Sequence, residues 1–310
     1  MGDRESVSVL LPTIEWNRAC DQLSDQIQSG DELLVICDTE DDPVASHDPP
    51  DGVEILLAGE PEGCSGKANA MAYGMEQATN DRFVWTDADF DREDDWLDRL
   101  VAAGEQHGPA TSLCVFVGEK WFRPYEAWST IFFSLAMYLN AGEWGDHAWG
   151  GGVTFTRDEL NEGVDELVTE LRQVVSDDGL LSDHLGKVHP IRSMVAVVEA
   201  PGDFRSVFER VSRLNRIVHV HEGGFTNFTI GLVLVAAAVI FPLPAAVLYT
   251  MLGVVAYTML GVRRWTPLIM YPSVVFVPFI ALSGIVRKEF EWTGRRYRLN
   301  DEFDVEVIED

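Results

Sequence analysis

The residues with the clearest chemical potential are carboxylates placed where apolar segments end. Asp87 and Asp89 are separated by one alanine and follow the apolar run Phe83–Thr86. Two carboxylates so spaced at a strand end can share a hard divalent cation, because Mg²⁺ and Mn²⁺ prefer oxygen ligands and often bind substrate phosphates as well. The pair therefore predicts a Mg²⁺ or Mn²⁺ site that receives a phosphorylated substrate.

A second acidic pair, Asp177–Asp178, precedes the segment Gly179–Leu185, which has the pattern of a helix. Aspartate is favoured at helix starts, so the pair is open to a purely structural interpretation as a cap. The alternative is a carboxylate that takes part in proton transfer. Composition alone does not choose between these two interpretations.

Two arginines are spaced for anion binding. Arg210 and Arg213 lie one helical turn apart and share a face if this segment is helical. Paired guanidinium groups can hold a diphosphate through bidentate hydrogen bonds. The alternative is that they anchor the chain, together with Arg216, at the cytoplasmic surface of a membrane.

The elements that must position these residues alternate between strands and helices. The segments predicted to be strands are Val7–Pro12, Glu32–Asp38, Val53–Ala58 and Arg82–Asp89, and those predicted to be helices are Glu15–Ser29 and Gly66–Thr79. Continuous apolar strands alternating with helices indicate an α/β fold whose mostly parallel sheet is covered on both faces. Ligands of such sheets bind at the carboxyl ends of the strands, where Asp38 and Asp87 lie.

The segment Gly223–Val286 differs sharply from the rest of the chain. It contains no acidic residue, and its only charges are Arg263 and Arg264. Its three apolar stretches are about 225–241, 245–261 and 267–286, each close to the roughly 17–25 residues of a membrane-spanning helix. The segment therefore predicts membrane helices, with a buried helical hairpin of a soluble protein as the alternative.

Basic residues predict the orientation of this membrane segment. Arg263–Arg264 ends the second stretch and Arg287–Lys288 follows the third, and both clusters favour the cytoplasm. Prolines in the third stretch favour a re-entrant or interfacial segment over a straight crossing. We therefore expect a multi-pass protein of the cell membrane with a cytoplasmic catalytic domain at 1–222, two or three membrane segments at 223–290 and a cytoplasmic tail at 291–310.

The overall charge limits the partners. The chain has 51 acidic and 23 basic residues, for a net charge of −28, and only four of the basic residues are lysines. This excludes a general electrostatic affinity for nucleic acid. No motif for a protein partner is evident. Many carboxylates with few lysines favour a protein from a salt-rich cell, where ions screen the self-repulsion; an acidic cytosolic protein is the alternative.

The order of these motifs resembles one enzyme family. In chain order they are Asp38 (less clearly Asp42), Gly66-Lys67-Ala68-Asn69-Ala70, Asp87 with Asp89, Asp178, Arg210-Val-Ser-Arg213 and the arginine-rich Glu291–Leu299. The set resembles the family 2 membrane glycosyltransferases, which have a GT-A fold. Within that family it is most similar to the ceramide glucosyltransferase group and its bacterial hopanoid relatives. Leu214 stands where the arginine motif of the family ends in tryptophan.

The resemblance implies a role for each of these motif residues. Asp87 and Asp89 would hold Mg²⁺ or Mn²⁺ on the diphosphate of a nucleotide-sugar donor, presumed on the family pattern to be a UDP-sugar. Asp38, Lys67, Arg210 and Arg213 would help to bind that donor, and Asp178 would be the general base that activates a hydroxyl of a membrane lipid. Trp144, Asp146 and His147 are candidates for the acceptor side.

Three other functions remain open at this stage. A dolichyl-phosphate sugar transferase would use an anionic phosphate as acceptor, which needs no general base. A polysaccharide synthase would usually have more membrane helices and the tryptophan that Leu214 replaces. A non-catalytic membrane protein that retains a nucleotide-binding domain is the alternative from a different class.

Overall fold

The computed structural model describes residues 4–141, 146–222 and 225–308. The chain forms two compact units, one of Met1–Leu113 with Asn140–Ala196 and one of Cys114–Leu139 with Val197–Asp310. The predicted boundary at residue 222 concerns the division between cytoplasm and membrane, and it stays a prediction.

The described strands and helices are numbered here in chain order. The strands are β1 Val7–Pro12, β2 Glu32–Cys37, β3 Val53–Leu57, β4 Arg82–Thr86, β5 Ala110–Gly118, β6 Gly152–Thr156, β7 His189–Ala200, β8 Glu289–Trp292, β9 Arg295–Asp301 and β10 Asp304–Ile308. The helices are α1 Arg18–Ser24, α2 Gly66–Gln77, α3 Trp96–His107, α4 Arg123–Ser129, α5 Ala136–Leu139, α6 Val164–Leu171, α7 Asp177–Leu185, α8 Phe204–Glu222, α9 Phe225–Ile240, α10 Pro242–Met259, α11 Met270–Ser273 and α12 Phe276–Val286.

The main sheet has seven strands in the order β3-β2-β1-β4-β6-β5-β7. Strands β3, β2, β1 and β4 are parallel to one another, and β6 runs antiparallel to both β4 and β5. Strands β1, β2 and β4 are buried along almost their whole length. Burial on both faces explains why these strands are continuous apolar runs rather than alternating ones. The predicted α/β fold with a mostly parallel sheet is confirmed.

The second unit contains the apolar helices. Helices α9 and α10 form a hairpin that turns at Phe241, and the Tyr249 hydroxyl donates a hydrogen bond to the Leu234 carbonyl at 2.7 Å. Among the described residues, α10 is long and apolar enough by itself to cross a membrane. Two bent helix pairs reach this length only when each pair is taken as one span, namely 204–221 with 225–240 and 266–273 with 276–286.

This result agrees with the expectation, drawn from its prolines, that the third apolar stretch is not one straight crossing, and the number of membrane segments stays a prediction. The third stretch is divided into α11 and α12, whose axes differ by 72°. Pro272 and Pro278 lie in these two short helices. Proline removes a backbone donor and clashes with the preceding helical turn, which explains why the stretch does not form one straight helix.

The segment from α4 to α5 contains a π-helical turn at Thr130–Leu135. Trp128 is buried, and its indole nitrogen lies 3.2 Å from the Met270 carbonyl and 3.1 Å from the Ser273 hydroxyl. Trp121 is 58% exposed. Trp128 therefore belongs to the core of the second unit.

A small sheet closes the chain, in the order β10-β9-β8. The sequence did not predict these strands. Arg298 pairs with Glu289 and Glu306 across the sheet, both at 2.7 Å. Alternation of charged and apolar residues in β9 places Tyr297 and Leu299 inside and the arginines outside.

Candidate functional site

The strand order creates a crevice beside β4. From β1 the chain proceeds outward to β2 and β3 on one side and returns to β4 on the other. Ligands of open α/β sheets bind at such a switch point, outside the carboxyl ends of the strands. Asp87 follows β4 at this edge, and Asp38 follows β2, two strands or about 10 Å away.

A buried arginine holds the loop that carries Asp87 and Asp89. The Arg92 guanidinium donates to the Thr86 hydroxyl at 2.5 Å, to the Phe90 carbonyl at 3.1 Å and to the Asp87 carbonyl, and it stacks on the Phe90 ring at 4.0 Å. Burial lowers the pKa of Arg92 to about 10, although the Asp87 and Asp89 carboxylates act in the opposite direction. Sequence analysis missed Arg92, because an arginine in an acidic loop gives no sign of burial.

The fixed loop presents two oxygen ligands of different exposure. Asp87 is half-buried and Asp89 is exposed. An oxygen-only pair at a strand end fits Mg²⁺ or Mn²⁺, which retain water and phosphate ligands in the remaining positions. The residues present therefore fit the metal that the sequence predicted.

Lys67 connects this loop to the second acidic pair. It lies in the first turn of α2, whose N-cap Ser65 accepts a hydrogen bond from the Ala68 amide at 3.0 Å. The Lys67 ammonium lies 2.8 Å from Asp87 Oδ1 and 3.0 Å from Asp177 Oδ2. The predicted donor-binding lysine and one of the predicted metal ligands are therefore ion-paired.

Asp177 and Asp178 begin α7, whose N-cap is Ser176. Asp177 is buried at 1% exposure, whereas Asp178 is half-buried. The helix dipole favours negative charge at this end of a helix. The interpretation of this pair as the helix cap is therefore wrong, because Ser176 is the cap and both aspartates lie in the first turn. A place in the first turn also leaves the burial of Asp177 beside Lys67 unexplained.

The two carboxyl groups have opposite pKa shifts. Burial raises the pKa of Asp177; Lys67 opposes this rise, and the Asp178 and Asp87 carboxylates add to it. Burial also acts to raise the pKa of Asp178, but Lys67, His147 and the hydrogen bond with Asp177 lower it below its usual value. One ammonium faces three carboxylates, so a proton is retained on Asp177 while Asp178 stays ionised.

The surroundings of Asp178 include a close backbone approach and a histidine. A side chain at Gly150 would begin 2.9 Å from Asp177 Oδ2 and 3.2 Å from the Lys67 ammonium, so only glycine fits. Ser182 Oγ lies 3.2 Å from His147 Nδ1 and donates to the Asp178 carbonyl at 2.6 Å. Gly150 thus contacts the carboxylate cluster, with its amide 3.4 Å from Asp178 Oδ2. Of the other acceptor-side candidates, Asp146 is exposed and Trp144 lies outside the described residues.

Asp38 has a different environment. It is buried at 8% exposure, and its backbone amide donates to Asp42 Oδ2 at 2.9 Å. The Asp42 carboxylate also accepts from the Thr39 amide at 2.9 Å, so it fixes the turn after β2. Asp42, the sequence alternative to Asp38, therefore has a structural role.

Arg210 and Arg213 belong to α8 in the second unit. The Arg210 guanidinium lies 4.7 Å from the centre of the Phe116 ring, and that of Arg213 lies 4.3 Å from the centre of the Trp292 ring. The two residues do lie one helical turn apart, as predicted. Their role in donor binding stays a prediction.

Comparison with solved structures gives matches to glucosyl-3-phosphoglycerate synthase from Mycobacterium tuberculosis. The complex with Mn²⁺ and UDP-glucose is 16% identical, with 68% of this chain and 78% of that chain covered and a TM-score of 0.40. The complex with Mg²⁺ and UDP gives the same values. The complex with Mn²⁺, UDP-glucose and glycerol 3-phosphate is 15% identical, covers 68% and 79% of the two chains and has a TM-score of 0.39.

Sequence comparison gives one family and no close relative. No curated protein matches the chain. Residues 21–161 match the family described as Glycosyl transferase family 2. This segment includes Lys67, Asp87 and Asp89 and most of the α/β sheet. Residues 21–161, somewhat less than half of the chain, are therefore similar to a family 2 glycosyltransferase domain, the sheet in this segment is GT-A-like, and the protein is a glycosyltransferase.

Proposed function

We propose that the protein transfers a sugar from a nucleotide-sugar to a hydroxyl group of a membrane lipid, with inversion at the anomeric carbon. The observation that carries this proposal is the cluster in which the Lys67 ammonium lies 2.8 Å from Asp87 and 3.0 Å from Asp177, beside Asp178, with the pKa of Asp177 raised and that of Asp178 lowered. Groups whose environments separate their pKa values in this way are typical of acid–base sites. A uridine-diphosphate sugar is the first donor to test.

The donor end of the proposed site is the loop after β4. Asp87 and Asp89 would hold Mg²⁺ or Mn²⁺, which supplies charge stabilisation for a departing nucleotide diphosphate. Lys67 orients the Asp87 carboxylate through a 2.8 Å ion pair. Asp38, Arg210 and Arg213 are proposed donor-binding residues on the family pattern alone.

The acceptor end is Asp178. Its ionised carboxylate would accept the proton of a lipid hydroxyl as that oxygen bonds to the anomeric carbon and the bond to the diphosphate breaks. Asp177 and Lys67 hold the Asp178 carboxylate in its charged form, and the Ser182 hydroxyl bonded to its carbonyl fixes the start of the helix. Attack from the side opposite the leaving group inverts the configuration.

The membrane location is supported by the surface of the second unit. Large apolar side chains on α9 and α10 are exposed, among them Val239, Leu243 and Leu248. An extended apolar surface with no acidic residue from 223 to 286 suits a lipid environment. The arginines at 263, 264, 287, 295, 296 and 298 favour the cytoplasmic side for both ends of this segment. Relation to the ceramide and hopanoid enzymes, and a salt-rich source, stay predictions.

The second candidate function is transfer to a lipid phosphate. Its acceptor is already an anion, so it would give Asp178 no proton to accept. The experiment is incubation of membranes containing the protein with a panel of radiolabelled nucleotide-sugars, with and without a chelator, and identification of the lipid products by mass spectrometry. We expect chelator-sensitive formation of a glycoside that resists mild acid. A product that mild acid hydrolyses to free sugar would identify a phosphate-linked sugar and contradict the hydroxyl mechanism.

A further inference from the structure

An arginine-lined cavity lies at the end of α10. Its volume is about 550 Å³, and Arg123, Arg263 and Arg264 contribute to its lining. Ligand pockets in proteins are commonly about 300–1,000 Å³. All of these residues belong to the second unit, and none has a role in the proposed transfer reaction.

The three arginines differ in how far their charge is already satisfied. Arg264 donates to both oxygens of the buried Glu126, at 3.2 and 2.9 Å, and is therefore held in place. Arg263 is exposed and makes no ion pair or hydrogen bond within the part of the chain that the structure describes. It is a cation free to bind a ligand in the cavity.

Arg123 is partly satisfied. Its guanidinium lies 3.5 Å from the exposed carboxylate of Glu119 and 5.4 Å from the centre of the Trp265 ring. Its Nε is buried and has no hydrogen-bond partner among the described residues. A buried guanidinium donor without an acceptor is unfavourable, and an anionic oxygen in the cavity would satisfy it.

The remaining walls are those of an interfacial site. Val254 and Val262 supply apolar surface, Thr258 supplies a hydroxyl and Trp265 a ring that is 49% exposed. Tryptophan and arginine together are typical of the level of lipid headgroups. In a chain with a net charge of −28, such a concentration of arginines is a local exception and gives the cavity its preference for anions.

We propose that this cavity binds the phosphate group of a membrane lipid, with Arg123 and Arg263 as donors to the phosphate oxygens and the apolar wall beside the first acyl carbons. Guanidinium groups match phosphate oxygens in bidentate geometry. Arg264 also lines the cavity, but its guanidinium is held by Glu126, so we assign the phosphate to Arg123 and Arg263.

The test is native mass spectrometry of the full-length protein, released from nanodiscs that contain phosphatidylglycerol and phosphatidylcholine. The variants are Arg123→Gln and Arg263→Gln, and the matched control is Arg205→Gln, an exposed arginine of the same unit outside the cavity. We expect the wild type and the control to retain phosphatidylglycerol, and each cavity variant to retain it about tenfold more weakly.

Two further results would decide against the lipid-phosphate site or change its source. Equal loss in the control would show diffuse surface electrostatics, and unchanged retention in both cavity variants would show that the cavity is not used; either result would overturn the proposal. In a parallel arm, lipid-free protein in detergent is titrated with inorganic phosphate. Arginine-dependent binding of phosphate there, with no retained lipid in nanodiscs, would support a phosphate site but overturn the lipid as its source.

Discussion

Each compact unit buries a carboxyl group next to a cation, but the two groups are compensated differently. In the first unit Asp177, at 1% exposure, faces Lys67 together with two further carboxylates. In the second unit Glu126, at 0% exposure, faces only donors. These donors are the Gly118 amide, the Tyr257 and Thr266 hydroxyls and the Arg264 guanidinium.

The difference distinguishes carboxyl groups that are available for a reaction from one that only stabilises the fold. Around Glu126 both carboxylate oxygens have partners between 2.6 and 3.2 Å, so the charge is stabilised and not available. Around Lys67 three carboxyl groups face one ammonium. Even when Asp177 keeps a proton, one negative charge has no cation to compensate it. An incompletely compensated cluster is suited to binding a cation or accepting a proton.

The largest expected effect is on catalysis. Asp178→Asn preserves the size of the side chain but removes its basicity. We expect kcat to fall about 10²–10⁴-fold, because a positioned base contributes that much, with little change in donor affinity. The measurement is transfer to lipid acceptor under saturating donor, alongside donor binding by calorimetry.

The matched control is Asp183→Asn, an exposed carboxylate on the same helix, which should retain activity. If Asp177→Asn abolishes transfer and Asp178→Asn does not, the base is the neighbouring residue. If neither substitution affects transfer, the carboxylate pair is not the acid–base group, and the lipid-phosphate alternative becomes the better one.

The second prediction concerns the fully compensated carboxylate. Glu126→Ala removes the acceptor of the Gly118 amide and of the buried Tyr257 and Thr266 hydroxyls, and should destabilise the protein by about 3–5 kcal/mol, because each buried donor left unsatisfied costs about 1–3 kcal/mol. Thermal unfolding of the purified protein in detergent measures this loss, and kcat per folded molecule should be nearly unchanged.

The double variant Glu126→Ala/Arg264→Ala distinguishes charge from packing. It should be close in stability to Glu126→Ala alone, since the Arg264 side chain is 31% exposed and water can solvate its charge once its partner is removed. A double variant that is less stable than the single one would show that Arg264 contributes mainly through packing.

Sequence patterns were sufficient for features that depend on one segment. The apolar runs of β1, β2 and β4 predicted a parallel sheet, and the acidic residues that follow them predicted where its carboxyl edge lies. The α2 helix at Gly66–Gln77 agrees with the predicted 66–79 because its start is set by a local cap at Ser65. The prolines also predicted that the third apolar stretch would not be one straight helix.

Features that depend on contacts between distant segments were not predictable in the same way. Arg92 lies in a loop rich in aspartate, and only the fold shows that it is buried between Phe90 and Trp96. Asp177 and Asp178 are adjacent and chemically identical in sequence. Burial raises the pKa of Asp177, whereas Lys67, which is more than a hundred residues earlier in the chain, and His147 lower that of Asp178. The strands β8–β10 form by pairing within a short charged segment whose alternation is weak.

The third prediction tests the retained proton on Asp177. In the unfolded chain an aspartate ionises near pH 4, whereas in the folded protein burial beside Asp178 and Asp87 raises the pKa of Asp177 to about 8, against the opposing effect of Lys67. Between these values the folded state binds more protons, so wild-type stability falls as pH rises. The Asp177→Asn variant has no titrating group at this position, so its stability does not fall with pH for this reason.

We therefore expect the stability gain of Asp177→Asn over wild type to grow between pH 5 and pH 8 and then level off. The slope of this gain against pH has a ceiling of about 1.4 kcal/mol per pH unit, the value for one titrating proton. Thermal unfolding across this pH range measures it, with Asp183→Asn, an exposed aspartate of the same helix, as the matched control. Histidine side chains in general titrate near neutral pH, so the trend is also measured in a His147→Gln background, where it should persist; a trend that disappears in that background would assign the proton to the histidine.

The smallest expected effect concerns the two serine caps that place the charged residues. Ser65 caps the helix of Lys67 and Ser176 caps the helix of Asp178, and each hydroxyl accepts a backbone amide hydrogen, at 3.0 and 3.2 Å. Replacing either serine with alanine should cost about 1 kcal/mol.

The start of α2 carries the positive charge of Lys67 where the helix dipole favours a negative one, whereas Asp177 and Asp178 are favoured at the start of α7. The Ser65 cap is therefore the more important of the two, since α2 has less dipole stabilisation at that end. Amide hydrogen exchange should show protection of the first turn of α2 falling about fivefold in Ser65→Ala, with a smaller loss in α7 for Ser176→Ala. A larger loss in α7 than in α2 would contradict the dipole argument while leaving the carboxylate cluster intact.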